Sequence, residues 1–364
     1  MEIIPFLKAL SEASGVSGYE DQIREIVRET FAPLSDEIRT DAIGNLIALK
    51  KGESSATPRR RIMLAGHMDE IGLIVTMLDK GFLRFTQVGG FDVRTLMGQQ
   101  VTVHGRQDLP GIIGCRPPHV LSAEERKQPM PMDKLFIDVG LPQQELEKVV
   151  RVGDLITIRR PFTELKNNLV SGKAFDDRAA VVAIGICLDM LQKMHHQWDV
   201  YAVGTVQEEV GLRGAITSTY GIAPDVGIAI DVGFGKQPGV SEPHGMELDK
   251  GPGLAFGPNI HPALFGELKR IAGEHEVPIQ VEVAPRGTGT DANAMQITRE
   301  GIPTALLSIP LRSMHTPIET ICTTDLARIG RLLAHFIASL DETFIDKLAW
   351  KLPAQKDDEK EGEA

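Results

Sequence analysis

The sequence predicts an α/β protein in which a small β-rich module is inserted into a larger three-layer α/β/α domain. Helical and strand-like segments alternate before residue 75 and after residue 165, which is the pattern of a sheet covered by helices. Between these limits, short β-like runs are separated by turns about every ten residues, which is typical of a small barrel or sandwich. We therefore assign residues 1–74 and 166–350 to one domain and residues 75–165 to the inserted module.

The larger domain begins with two helices and two strands. Residues 2–32 alternate apolar and polar positions at helical spacing, and Ser17 in the interruption "ASGVSGYE" is a candidate N-cap for the second helix. The strand-like runs lie in "RTDAIGNLIALKKG" and "RRRIMLAGHMDEIGLIV", with a polar loop between them.

The inserted module consists of short β-like runs, which are "FLRFTQVGG", "QQVTVHG", "LPGIIGC", "KLFIDVG" and "DLITIRR". Only "PQQELEKVV" has a helical pattern there, and the Pro-rich stretch "RPPHVLSAEERKQPMPMD" is predicted to be an exposed loop.

Helices and strands alternate again in the second part of the larger domain. A buried helix is predicted in "AFDDRAAVVAIGICLDMLQKM", followed by a strand that ends before Glu208 and a helix near 212–220. The remaining elements are the strand "DVGIAIDVG", the helix "PALFGELKRIAGEHE", the strands "PIQVEVAP" and "PTALLSIP", and a last helix over 324–346. Residues 351–364 are polar and charged, and we expect them to be disordered.

Composition excludes several classes of protein. The net charge of −11 argues against general binding to a phosphate backbone, and three widely spaced cysteines argue against a disulfide framework. The N-terminus lacks the apolar core of a signal peptide, and the longest apolar run, Ala179–Leu188, is about half of a membrane span. We expect a soluble cytoplasmic protein that binds neither nucleic acid nor membrane.

Acidic and histidine side chains follow the strands of the larger domain. In an α/β sheet the carboxyl edge is where ligand-binding groups gather. The candidates are His67 and Asp69 in "GHMDE", Asp176 and Asp177 in "FDDR", Glu208 and Glu209 in "QEEVG", Asp231 in "AIDVG", and His315 in "SMHTP". Taken singly, each has an ordinary structural explanation: a buried histidine, a turn, or an N-cap from Asp176 for a helix that begins near Arg178.

Taken together, these groups indicate bound cations. Adjacent carboxylates such as Glu208 and Glu209 repel one another and lose solvation when they are buried. Two divalent cations would balance them, and nitrogen and oxygen ligands without thiolate suit Zn²⁺, Co²⁺ or Mn²⁺. One of the two glutamates would then bind metal, and the other would accept a proton from a water shared by the metals.

The motifs, in this order, resemble those of the M42 metallo-aminopeptidases, a family that includes the tetrahedral TET aminopeptidases. The resemblance runs over nearly the whole chain, through "SGYE", "TDAIGNLIA", "GHMDEIG", "AFDDRAA", "VQEEVGLRGA", "GTGTDA", "REGIPTALLSIP" and "MHTPIE". It implies an α/β/α catalytic domain with an inserted PDZ-like dimerisation domain, and a dodecamer built from dimers. It also implies peptide substrates, from which the N-terminal residue is hydrolysed by a hydroxide that bridges two metal ions.

The resemblance also implies a role for each site residue. His67 and Asp231 would bind one metal, Glu209 and His315 the other, and Asp176 both. Glu208 would be the general base, and Asp69 would orient the His67 imidazole. Asp177 is expected to shape its turn.

Two positions depart from the family pattern, and both bear on substrate fit. Ser313 stands where many members have an aromatic residue, and Ala180 stands where they have glycine. Arg312 and Asp291 are candidates for substrate contact or for structural ion pairs. The stretch "DKGPGLAFGPNIHP" is expected to border the pocket, and because it lacks an arginine we expect a preference for neutral, aliphatic N-terminal residues.

Other functions stay open at this point. A related di-metal carboxypeptidase or deacylase would need a basic group for a substrate carboxylate, which Arg312 could supply. A glycosidase would need two carboxylates and neither histidine nor metal. A metal-stabilised, non-catalytic peptide-binding scaffold is a further alternative.

Overall fold

The computed structural model describes residues 1–128, 130–240 and 245–350 of the chain. The helices of this part are α1 (Ile3–Glu12), α2 (Asp21–Phe31), α3 (Gln143–Val149), α4 (Phe175–Leu191), α5 (Arg213–Ile222), α6 (Pro262–Glu274), α7 (Asp291–Gln296), α8 (Thr323–Ala338) and α9 (Phe344–Leu348). The strands are β1 (Glu37–Thr40), β2 (Leu46–Lys50), β3 (Arg61–His67), β4 (Gly72–Asp79), β5 (Phe82–Val88), β6 (Gln100–His104), β7 (Asp108–Gly114), β8 (Phe136–Asp138), β9 (Leu155–Ile158), β10 (Thr163–Glu164), β11 (Leu169–Gly172), β12 (Asp199–Thr205), β13 (Val226–Phe234), β14 (Gly253–Phe256), β15 (Gln280–Val283), β16 (Thr304–Leu311) and β17 (Glu319–Cys322).

An eight-stranded sheet forms the centre of the larger domain, in the order β1-β2-β12-β3-β13-β16-β14-β15. Its four middle strands, β12, β3, β13 and β16, run parallel to one another, so their carboxyl ends meet at one edge. These strands are apolar along most of their length because helices cover both faces of the sheet.

Two separate hydrophobic cores lie on the two faces of this sheet. Successive side chains of a strand point to opposite faces, and Ile62 and Leu64 of β3 accordingly pack in one core with α1, α2, α4, α6 and α8. Met63 and Ala65 pack in the other core, with α5 and α7. The predicted three-layer α/β/α architecture is therefore confirmed.

The inserted module is a closed barrel of six strands in the order β4-β5-β8-β7-β6-β9, with a hydrophobic core of its own. Its strands begin at Gly72 and end at Ile158, and α3 is the predicted helix within it. After the barrel, β10 and β11 return the chain to the larger domain, where they form a three-stranded sheet with β17. The prediction of an α/β fold with a β-rich insertion is confirmed.

The last predicted helix, over 324–346, is two helices in the structure, α8 and α9. The Asp341 carboxylate accepts the backbone N–H and the hydroxyl of Thr343 between them. Such a local bond competes with the helical backbone pattern. The predicted disorder over 351–364 falls outside the described residues. Among the described helices, none combines the length and the apolar character that crossing a membrane requires.

Candidate metal centre

The predicted site residues meet at the carboxyl edge of the parallel strands. His67 ends β3, Asp231 lies near the end of β13, and Glu208 and Glu209 follow the end of β12. His315 comes four residues after β16. The fold thus brings together groups that are up to 248 residues apart in the sequence, as the positions of His67 and His315 show.

Asp176 lies at the centre of the group. Its Oδ1 is 3.1 Å from His67 Nε2, and its Oδ2 is 3.2 Å from His315 Nε2. His315 Nε2 is also 3.3 Å from Glu209 Oε1. Asp176 has an extended backbone at the start of α4, and no side chain caps this helix. Asp176 therefore directs one carboxylate oxygen to each histidine instead of capping a helix.

A second group of ligand atoms comes from His67, Asp177 and Asp231, all within 4.8 Å of one another. Asp177 Oδ2 accepts the backbone N–H of His67 at 3.1 Å, whereas its Oδ1 has no hydrogen-bond partner. Sequence reasoning gave Asp177 a role in the turn alone, yet its carboxylate lies within reach of two predicted ligands.

The electrostatics of the site favour added positive charge. Burial raises the pKa of Glu208 to about 9, and burial also raises the pKa of Asp231 and of Glu209. Hydrogen bonds to Asp176 and Glu209 raise the pKa of His315 to about 11. Burial tends to raise the pKa of Asp176 as well, but its bonds to the two histidines lower it. Without metal, protons bound by these side chains thus provide the positive charge that a bound cation could supply.

The donor set fits divalent metal. It contains imidazole nitrogens and carboxylate oxygens, no thiolate, a carboxylate shared by two histidines, and an unpartnered buried oxygen on Asp177. Such nitrogen and oxygen ligands suit Zn²⁺ and other first-row divalent ions. The described residues could therefore hold metal in two overlapping groups that share His67.

Asp69 ties the histidine to the glutamate pair. Its carboxylate is fully buried and accepts the backbone N–H groups of Glu208 and Glu209, at 3.0 and 3.2 Å. Its Oδ1 lies 3.5 Å from His67 Nδ1, and its backbone carbonyl lies 3.1 Å from the same nitrogen. Ser17 donates its hydroxyl to Asp69 Oδ2 at 2.5 Å, so the prediction that Ser17 caps α2 is wrong.

Glu319 holds two ligand-bearing segments and was missed by sequence reasoning. It is 2 % exposed, and it accepts the backbone N–H of Asp176 through Oε2 and that of His315 through Oε1, at 3.1 and 3.0 Å. Its position in "MHTPIE", four residues after His315, is the signal that could have identified it.

A cavity of about 420 Å³ opens beside the histidines. Its lining residues are His67, Asp176, Glu208, Glu209, Gly211, Leu212, Asp231, Val232, Gly233, Phe234, Glu282, Thr288, Gly289, Thr290, Met314 and His315. Among the described residues, none of 249–262 lines it, in contrast to the expectation that this stretch borders the pocket.

The two candidate substrate-contact residues lie outside that lining. Arg312 donates its Nε to the carbonyl of Lys236 at 2.8 Å, on the protein surface. Asp291 is buried and accepts the Thr205 hydroxyl at 2.5 Å, and burial raises the pKa of Asp291 to about 6. Asp291 therefore affects the site through its negative charge, which raises the pKa of Glu208 and of Asp231 further.

The fold and the site define a class of protein. An α/β/α sandwich with a buried histidine and carboxylate group at its carboxyl edge, open to a cavity, has the features of a metal-dependent hydrolase. A model of the M42 glutamyl aminopeptidase family matches residues 44–332, and the chain belongs to this family of aminopeptidases. The family resemblance noted in the motifs is therefore confirmed.

Several relatives match nearly the whole chain. The lysyl aminopeptidase of Pyrococcus furiosus is 39% identical over 340 residues, which are 92% of this chain and 96% of that protein. The TET aminopeptidase of the marine sediment archaeon Thaumarchaeota archaeon SCGC AB-539-E09 is 34% identical, with a TM-score of 0.90 over 95% of this chain and 98% of that one. The TET1 peptidase of Pyrococcus horikoshii, which assembles into a tetrahedron or a large octahedral shell, is 33% identical, with a TM-score of 0.81 over 93% of this chain and 100% of that one.

Proposed function

We propose that the chain removes the N-terminal residue from peptides by hydrolysis and that it binds two divalent metal ions, Zn²⁺, Co²⁺ or Mn²⁺, for this reaction. His67 and Asp231 would hold one ion, Glu209 and His315 the other, and Asp176 would hold both. The observation that supports this most strongly is the position of Asp176, with one oxygen 3.1 Å from His67 and the other 3.2 Å from His315. Cations bound there would polarise the scissile carbonyl and lower the pKa of a water between them.

Glu208 is the proposed general base. Its carboxylate borders the cavity and lies 3.9 Å from His67 Nε2, and it belongs to neither potential ligand group. Burial raises its pKa to about 9 when no cation is present. Positive charge bound nearby would lower that pKa and leave a carboxylate free to accept a proton from water and to pass it to the leaving amine.

Asp69 is proposed as a positioning residue. Its carboxylate accepts both N–H groups of the glutamate pair and borders the His67 ring. It therefore fixes the proposed base, Glu208, and two proposed ligands, Glu209 and His67, relative to one another. Residues behind a metal ligand commonly fix the orientation of its ring in this way.

The substitution Glu208→Gln tests the mechanism. The variant should bind as much metal as the wild type, and kcat should fall by about 10²- to 10⁴-fold because the amide cannot accept the proton. The assay uses free-amine aminoacyl p-nitroanilides after EDTA treatment and addition of Zn²⁺, Co²⁺ or Mn²⁺, with metal content measured in parallel. The matched control is Glu164→Gln, an exposed acid on β10, which should change neither quantity.

Two outcomes would contradict the proposal. Full activity of the Glu208→Gln variant with metal bound would remove Glu208 from the mechanism. Cleavage of N-acetylated or C-terminal substrates in place of free-amine substrates would favour a deacylase or carboxypeptidase.

We also propose that the barrel mediates dimer formation and that dimers assemble into a closed dodecamer. The barrel exposes Met77, Phe82 and Ile112, and the related TET1 peptidase forms a tetrahedral assembly. Closed symmetric assemblies of this kind need self-complementary surfaces. Light scattering after gel filtration measures the mass, and Ile112→Asp should shift it towards smaller species; a monomeric wild type would contradict the proposal.

A further inference from the structure

Glu282 is an acidic side chain in the lining of the cavity, and no step above uses it. It lies on β15, next to Ala255 of β14, and its carboxylate reaches across β14 to β16. There Oε2 accepts the Ser308 hydroxyl at 2.5 Å. Ser308 is in register with Asp231 of β13, so the same sheet face carries a proposed metal ligand and, beyond it, the Glu282 carboxylate.

Glycines on β13 and β14 make room for this side chain. A Cβ atom on Gly233 would lie 3.3 Å from Glu282 Oε1 and 2.4 Å from Met246 Cε. A Cβ atom on Gly253 would lie 3.3 Å from Glu282 Oε2 and 2.4 Å from Met246 Sδ. Larger residues at either position would displace Met246 or the carboxylate, so the carboxylate is held in a place built by the surrounding backbone.

The charge of Glu282 is not balanced by the described residues. Its one hydrogen bond comes from the neutral Ser308 hydroxyl, and no described lysine, arginine or histidine lies within 4 Å of it. Burial raises the pKa of Glu282, although the Ser308 hydrogen bond lowers it. A half-buried carboxylate that borders an open cavity and has no cationic partner is stabilised most by a cationic ligand.

The distance along the sheet decides which cation fits. Neighbouring strands are about 4.8 Å apart, and the Glu282 carboxylate bonds to Ser308 of β16, so it lies about one strand spacing from Asp231 of β13. The α-amine of a substrate adjoins the scissile bond and therefore stays near the proposed metal ligands. The ammonium or guanidinium at the end of a long side chain reaches further along the sheet.

We propose that Glu282 recognises the cationic side chain of an N-terminal lysine or arginine, a preference that rests on the aminopeptidase activity proposed above. The expectation of a neutral, aliphatic preference came from residues 249–262, which do not line the cavity in the described part of the chain. Glutamyl substrates would place like charges together and should be the poorest.

The test compares kcat/KM for Lys-, Arg-, Leu- and Glu-p-nitroanilide in the wild type and in Glu282→Gln. The wild type should prefer the lysyl or arginyl substrate, and the ratio of lysyl to leucyl kcat/KM should fall by about 10- to 100-fold in the variant, since a charge-assisted hydrogen bond is lost. The matched control is Glu247→Gln, an exposed acid paired with Lys236, for which this ratio should not change.

The outcomes separate this inference from the proposed function. A wild type that cleaves leucyl or glutamyl substrates better than lysyl and arginyl ones overturns the specificity and leaves the aminopeptidase proposal standing. Equal loss of lysyl and leucyl kcat/KM in Glu282→Gln overturns it too, because Glu282 would then serve the α-amine or the fold. No cleavage of any free-amine substrate with metal bound overturns both proposals.

Discussion

Replacement of Arg178 by methionine should cost about 2–6 kcal/mol of stability, because it leaves two buried carbonyls without a donor. Arg178 is 0 % exposed, and its guanidinium donates to the carbonyls of Leu10, Ala13, Gly15 and Met68 and to the Glu70 carboxylate. Three of these partners keep another bond in the variant. Lys173 still pairs with the Glu70 carboxylate and donates to the Ala13 carbonyl, and the Gly15 carbonyl still accepts the Glu70 N–H.

The main loss therefore comes from the Leu10 and Met68 carbonyls. Buried acceptors left without a partner cost about 1–3 kcal/mol each. Because Met68 joins His67 to Asp69, metal affinity should fall together with stability.

Urea unfolding in EDTA measures the effect. Arg178→Lys keeps the charge without the fork of donors and should lose about half as much. It also keeps the test informative if the methionine variant does not fold. Arg94→Met is the matched control, because Arg94 is 82 % exposed and pairs with Asp92 alone among the described residues, so its stability should change by less than about 0.5 kcal/mol. A loss below about 1 kcal/mol for Arg178→Met would refute the argument that buried carbonyls and charge depend on this side chain.

Three further predictions concern the site and its support. His315→Ala should lose one of the two proposed metal ions, which mass spectrometry of metal content measures directly; two ions retained would contradict the ligand assignment. Glu319→Gln should weaken metal binding by about 10- to 100-fold, because the amide can accept only one of the two backbone N–H groups, and metal titration checks this. Burial raises the pKa of Glu20 from 4.5 to about 7, so between these pH values the folded protein holds a proton that the unfolded chain has released. Glu20 should therefore contribute a fall in stability of about 3 kcal/mol as the pH rises through this window. Glu20→Gln keeps the acceptor for Gly18 and Gln207 and should make the stability difference between pH 5 and pH 8 smaller by this amount in urea titrations in EDTA; an unchanged difference would contradict it.

The architecture could be predicted from the sequence because its signals are local. Apolar runs such as β3 and β13 are buried on both faces, and each carries a histidine or an acid at or near its carboxyl end. The shared carboxyl edge then follows from the parallel arrangement, which brings His67 and Asp231 together. The β-rich insertion was equally visible, because its short runs and turns lack helical spacing.

Contacts across several elements could not be predicted in the same way. Glu282 lies in a strand whose exposure alternates along its length, which is the ordinary pattern of an edge strand. Its position in the cavity depends on glycines at 233 and 253 and on the Ser308 hydroxyl, which belong to three other strands. The break near Asp341 had a local cause, but an aspartate within a helical pattern does not by itself show whether it will bond to its own backbone.

The same electrostatic reasoning connects the metal centre to substrate choice. Glu208 and Asp231 are buried carboxylates with raised pKa values, and each becomes ionised more readily when positive charge binds nearby. Glu282 shares this property, but it lies on β15, two strands beyond Ser308, and its carboxylate meets the Ser308 side chain one strand away from Asp231. Bound metal would neutralise Glu208 and Asp231 but not Glu282. The charge that remains uncompensated is therefore at the place where a substrate side chain must enter. The dependence of kcat/KM on the charge of the substrate side chain should therefore come from Glu282. The dependence of kcat/KM on the identity of the bound metal should come from Glu208.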